Sequence, residues 1–198
     1  MGHSTQGNST SEARSRLLAT ATRIFYAEGI HSVGIDRIIA EAQVTRATLY
    51  RHFTGKEELV LAYLDLADRE IRAQVETARA SEESAADQVR AVARSITAGI
   101  RSRGFRGCAF LNAAAEYPDP AHPIHRAVLA HRQWFLDTVT ELLAHTDGPP
   151  ADADGRHFVM LRDGAMAAGC LADAALVSET FLRGVEGLLR ERSASERA

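Results

Sequence analysis

The feature that most limits what this chain can fold into is the spacing of its apolar residues. They recur every three or four positions almost from end to end, and no segment sustains the alternation of a strand. Leu17, Leu18, Ala21, Ile24 and Phe25 share one face of a first helix, and Ile35, Ile38 and Ile39 mark a short second one. After a turn at Gln43-Val44 a third helix is expected from about Thr45 to His52. Leu59, Tyr63, Leu64, Ala67, Ile71, Val75 and Ala78 form the stripe of a long fourth helix. Further helices follow: one on Val89, Val92, Ile96 and Ile100, a shorter one near 107–117, and one on Ile124, Val128, Phe135, Val139 and Leu142. Two more are expected near 152–171 and 174–190. The pattern predicts an all-α chain of about nine helices: a three-helix head with a helix-turn-helix, then a C-terminal helical bundle.

Local chemistry places the boundaries. Ser9-x-x-Glu12 and Thr54-x-x-Glu57 fit capping boxes that open the first and fourth helices. Gly29 suits a left-handed stop after the first helix, and Ser84 and Asp173 fit later N-caps. Pro118, Pro120 and Pro123 break the chain between helices. The expected division is a polar, disordered tail over 1–10, a head over 11–55 and a body over 56–198.

Composition narrows the classes. With 198 residues, 45% of them hydrophobic and 25% charged, one or two compact units with a sizeable core are expected. No apolar run approaches the roughly 18–20 residues that span a bilayer, so no membrane association is expected. The first residues lack the apolar stretch of a signal peptide, and Cys108 and Cys170 are too few for a disulfide framework or a four-ligand zinc site. A reducing cytoplasmic location fits. Charge is uneven: residues 1–56 hold seven basic and four acidic residues, a net +3, whereas the rest carries −6 within the total of −3. A basic head on an acidic body suggests a head that meets a polyanion.

Two short helices joined by a tight turn over 35–52 are the minimum for a helix-turn-helix. Its second helix fits the DNA major groove, about 12 Å wide. Thr45, Arg46, Ala47, Thr48, Tyr50 and Arg51 are the positions left outside when Leu49 and Phe53 face the first helix. Hydroxyl and guanidinium groups there suit phosphates and base edges, and small Ala47 allows close approach. Lys56, at the start of the next helix, is placed to hold a phosphate together with backbone amides. The same spacing also fits an ordinary helical hairpin with a polar outside, or a head that docks on protein.

The residues add a resemblance. Thr48-Leu-Tyr-Arg-His-Phe53 followed by Lys56-Glu57, within the run Val33–Leu59 and after Phe25-Tyr-Ala-Glu-Gly29, resembles the DNA-binding head of the TetR (tetracycline-repressor) family. The likeness covers about residues 11–64. The chain has a single lysine among 23 basic residues, and it is Lys56, where the family usually has one. The resemblance implies a homodimer on double-stranded palindromic DNA, a C-terminal bundle that answers a small-molecule effector, and no enzymatic activity. By position it implies groove contacts from Thr45, Arg46, Ala47 and Thr48, with phosphate contacts from Tyr50 and Lys56. Gln43 departs from the family's usual Gly, at a cost of about 1 kcal/mol if the positive φ is kept. Gly34 stands where Ser or Thr is common.

The body is less explicit. Phe105, Cys108, Phe110, Asn112, Glu116, Tyr117, Trp134 and Met166 are the candidate lining of a largely apolar effector site, with Asn112 and Glu116 one turn apart as its polar anchors. Each also fits plain core. Gly164, Ala168, Leu176, Phe181, Val185 and Leu188, on the small-residue-rich last two helices, are the candidate dimer interface. No metal is expected: His125 and His131 lie on nearly opposite helix faces, and His122 and His125 would need Cys108 by tertiary accident. No cofactor motif, nucleophile elbow or phosphate loop is present, and an acid–base role for Glu116 or His125 has no supporting constellation. A repressor is expected, with an activator as the alternative of the same class.

Overall fold

The computed structural model describes residues 4–80, 84–148 and 150–195. Among them it contains nine α-helices and no strand: α1 (Ser4–Glu28), α2 (Ile35–Glu41), α3 (Arg46–His52), α4 (Lys56–Ala80), α5 (Ala85–Ile100), α6 (Ala109–Glu116), α7 (Pro123–Ala144), α8 (Asp152–Ala168) and α9 (Ala174–Ser195). None is long and apolar enough to cross a membrane.

Several boundaries follow the caps. Gly29 has φ +90 and donates its amide to the Phe25 carbonyl at 3.0 Å, closing α1. Ser84 accepts from the Asp87 amide at 3.1 Å at the start of α5. Asp173 accepts from the amides of Ala175 and Leu176, each at 2.9 Å, at the start of α9. Two expectations fail. Helix α1 begins at Ser4, so Ser9 lies inside it and opens nothing, and residues 4–10 of the expected disordered tail are helical. At α4 the reaching carboxylate is Glu58, not Glu57. It accepts from the Thr54 amide at 2.6 Å, and that contact holds its carboxyl below the usual range.

The chain forms two compact units. The first holds residues up to Ala67 together with Ala109–Val128, and the second holds Asp68–Cys108 and Leu129–Ala198. Helices α4 and α7 each continue from one into the other. The first unit thus gathers α6 to the head, a grouping that a linear division after residue 55 does not anticipate. Its core is built on Leu17, Ile24, Ile38, Leu49, Phe53 and Leu59, all at most 2% exposed. Each such burial contributes roughly 1.5–3 kcal/mol. In the second unit α5 and α9 pack along Val89, Val92, Val185 and Leu188, and the rings of Phe135, Phe158 and Phe181 follow one another at 6.4 Å (tilted) and 5.8 Å (edge to face). Gly155 of α8 lets that helix approach Thr140 of α7: a Cβ added there would stand 2.0 Å from the threonine Oγ1.

Candidate nucleic-acid interface

Helix α3 is oriented by what it buries. Leu49 is fully buried and Phe53 is 2% exposed, with the Arg14 guanidinium 5.1 Å from the Phe53 ring centroid. Anchoring that side turns the opposite side outward: Thr45, Arg46, Ala47, Tyr50 and Arg51 are exposed and Thr48 is half-buried. Tyr50 keeps 48% of its surface open, so its ring and hydroxyl are accessible on the outward side of α3. Thr45 is the N-cap. Its hydroxyl accepts from the Thr48 amide at 3.1 Å and lies 2.8 Å from the Thr48 hydroxyl. Gly34 caps α2 in an extended conformation without a side-chain bond. Gln43 keeps the turn's left-handed geometry at φ +53, so the strain anticipated for a non-glycine residue is present.

Charges on the head are sorted by pairing. Arg37 joins Glu28 at 2.5 Å and Glu41 at 2.8 Å, and Arg23 meets Glu41 at 2.5 Å. Arg46 pairs with Asp36. Glu28, Asp36 and Glu41 are thereby held by arginines, mostly across from one helix to another, which leaves the head's positive excess on its other basic residues. Lys56 opens α4 and is half-buried. Burial pushes its ammonium below the usual lysine range, and the Glu116 carboxylate pulls the other way. His52 is half-buried at the end of α3.

The eight candidate effector residues divide between the two units. Phe110, Asn112, Glu116 and Tyr117 belong to the first, whereas Phe105, Cys108, Trp134 and Met166 belong to the second. Asn112 points outward, so it does not pair with Glu116 as an inward anchor. Glu116 is otherwise engaged: its two carboxylate oxygens accept from the amides of Ile30 at 2.7 Å and His31 at 2.5 Å, tying the end of α6 to the turn after α1. Gly29 beside it is favoured by its φ of +90, and an added Cβ would also stand 3.3 Å from Glu116 Oε1, a tight approach. The Tyr117 ring lies between those of His31 and His122, tilted to both, at 4.6 and 4.7 Å, and burial raises its phenol. Phe110 is 1% exposed, plain core. No group of three His, Cys, Asp or Glu able to hold a metal occurs among the described residues.

In the second unit, residues that sequence reasoning passed over surround Cys108 and Trp134. Arg162 donates to the Cys108 thiol at 3.3 Å, and Arg72 lies 4.1 Å over the Trp134 ring. Asp68 bonds His131 Nδ1 at 2.6 Å. A legible signal existed: Arg162 stands four residues after Phe158 and three before Ala165, on an apolar helix face. Of the dimer candidates, Phe181, Val185 and Leu188 are 3%, 1% and 2% exposed and belong to the unit's own core, Phe181 also reaching the floor of a surface groove. Gly164, Ala168, Leu176 and Phe181 line this groove of about 380 Å³ on α8 and α9, with Met160 beside them.

A head whose second short helix offers a polar face, followed by a helical body, is the arrangement of a helix-turn-helix DNA-binding regulator, and the comparisons with known proteins bear on that class directly. Residues 17–63 match the family described as "Bacterial regulatory proteins, tetR family". A TetR-family transcriptional regulator from Streptomyces coelicolor is 79% identical, with 92% of this chain and 97% of that one aligned at a TM-score of 0.91. A TetR regulator from Chloroflexus aurantiacus shares the fold at 22% identity and a TM-score of 0.81, over 93% of this chain and 98% of that one. The activator FasR of Mycolicibacterium smegmatis is 43% identical over 53 residues, 27% of this chain and 24% of FasR. The chain thus covers about a quarter of that relative's length. It belongs to the TetR family: it is a DNA-binding transcriptional regulator and not an enzyme.

Proposed function

We propose that the protein is a repressor that binds palindromic operator DNA as a homodimer in the cytoplasm and is released by a small-molecule effector. The observation that carries this reading is the face of α3, turned outward by buried Leu49 and Phe53, with Lys56 at the start of α4 beside it. Seven residues at 1.5 Å each make α3 about 10 Å long, enough for about three base-pair steps. So short a reader needs a second copy, and two heads about 34–36 Å apart match a palindrome. The apolar groove on α8 and α9, where Met160 and Leu176 are 73% and 61% exposed, supports dimerisation through those helices. Because α4 starts at Lys56 and ends in the second unit, it is the lever this reading assigns between effector and head. An effector acts only through its different affinities for the two head spacings.

Salt-dependent retention of genomic duplex fragments on filters tests the reading. Wild type should retain fragments with a steep salt dependence, and Lys56→Ala should flatten the slope by about one on all sequences. Tyr50→Ala should weaken retention as well. Retention without salt dependence, or full affinity in both variants, would defeat the docking geometry. FasR is an activator, so transcription from a promoter bearing the selected operator decides the sign: activation by the added protein would replace the repressor reading.

A further inference from the structure

Two arginines are buried in the second unit, and they are treated differently. Arg192, 2% exposed, uses all three nitrogens: Nε to the Thr146 hydroxyl at 2.9 Å, Nη2 to the Leu143 carbonyl at 2.9 Å, and Nη1 to Asp154. That is a structural guanidinium. Arg162 on α8 is 4% exposed, and only Nη1 has a strong acceptor, Asp163 at 2.8 Å. Its Nη2 meets the Cys108 thiol at 3.3 Å, a weak acceptor, and its Nε has no partner among the described residues. Buried donors are normally matched. Among the described residues, the Arg162 Nε is the one guanidinium donor of this pair of arginines left without an acceptor.

Charge points the same way. Asp163 also binds Arg132 at 2.6 Å, and Asp68 binds Arg72 and His131, each at 2.6 Å. Among the described residues, Arg162 and Arg132 share the one carboxylate of Asp163, and Arg162, with its side chain 5% exposed against 30%, is the more buried of the two. The wall is aromatic: Phe135 lies 5.2 Å from the Arg162 guanidinium, Trp134 lies 6.1 Å from Phe135, and Arg72 covers Trp134.

We propose that Arg162 anchors an effector site for a small organic carboxylate, whose oxygen completes the guanidinium Nε and whose apolar body lies along Phe135 and Trp134. The inference rests on the reading of this protein as an effector-released regulator and names the chemistry of that effector. Carboxylate is preferred to a bare inorganic anion because the unmatched guanidinium lies against the Phe135 ring, where an apolar body adds burial.

Trp134 is the chain's single tryptophan and reports from inside the network. The full-length protein is titrated with benzoate and octanoate, and with neutral benzamide and octanamide, at constant ionic strength in sodium chloride. At least one carboxylate should change Trp134 emission saturably, with its amide about tenfold weaker or more. Arg162→Met should lose about tenfold or more in carboxylate affinity, and Arg162→Lys, which keeps the charge, should lose less. Circular dichroism checks that each variant is folded. If Arg162→Met does not fold, the wild-type difference between each acid and its amide and the Arg162→Lys titration decide the matter. No emission change, equal response to acids and amides, or unaltered binding by folded Arg162→Met would overturn the site. Filter retention of duplex DNA is measured in parallel. A carboxylate that binds through Arg162 but leaves retention unchanged would overturn effector release and leave the site standing.

Discussion

The clamp of Glu116 on the turn after α1 gives the sharpest stability prediction. One carboxylate accepts two backbone amides, Ile30 at 2.7 Å and His31 at 2.5 Å, and Ile30 is 2% exposed while the Glu116 side chain is 22% exposed. A hydrogen bond to a charged acceptor contributes about 1.5–3 kcal/mol in stability. Two bonds to one group are not additive, and partial exposure favours the lower end, so Glu116→Ala should cost about 2–3 kcal/mol of local stability. Glu116→Gln keeps one acceptor oxygen but aims its NH2 at the second amide, so about 1–2 kcal/mol is expected. Native-state hydrogen exchange reads this directly. At 1.4 kcal/mol per decade, the Ile30 and His31 amides should exchange about 30–150-fold faster in Glu116→Ala, and the glutamine variant should fall between. Amides of the second unit should be unaffected. If Ile30 and His31 exchange within about twofold of wild type in the alanine variant, the carboxylate does not hold the turn.

Three further outcomes follow from single positions. Gln43→Gly should stabilise: it removes about 1–2 kcal/mol of left-handed strain and returns about 0.5–1 in backbone entropy, for a net of roughly 0.5–1 kcal/mol by urea denaturation, and a loss of stability would refute the assignment of strain at φ +53. Gly155→Ala should destabilise by about 1–3 kcal/mol, since the new methyl meets Thr140 on the facing helix; an unchanged melting curve would show that the two helices part at no cost. Acid should weaken the second unit in two stages. Burial pushes the His131 imidazole below its ordinary range although Asp68 pulls it up, so the unfolded chain takes this proton more readily, and stability present above about pH 6.5 falls as pH drops below it. Burial raises the Asp68 carboxyl, but bonds from Arg72 and His131 outweigh it and hold it below its usual value, so its contribution is lost further down, below about pH 4. His131→Asn should shrink the loss of urea midpoint between pH 7.5 and 5.5; an equal loss in both proteins would remove His131 as its source.

The head was legible in the sequence because its determinants are local. Leu49 and Phe53, one turn apart, set the phase of α3, so the outward residues follow by elimination, whereas the capping role of Thr45 came only with the structure. Gln43 was legible through the resemblance: it stands where the family usually has Gly, in the four-residue turn between α2 and α3, and its φ of +53 is the left-handed value that glycine would serve. The failures are non-local. Glu116 has helical spacing from Asn112, and spacing cannot say that its partners are two amides 86 and 85 residues away. Periodicity likewise cannot tell a self-buried stripe from a docking stripe. Val185 and Leu188 share a face that α5 already covers, whereas Leu176 lies nearer the start of the same helix, where the surface stays open. Arg162 shows the limit most plainly. Its place on an apolar face marks it as buried, but only the comparison with Arg192, whose three nitrogens are all matched, distinguishes a guanidinium that completes a fold from one that leaves a donor unmet.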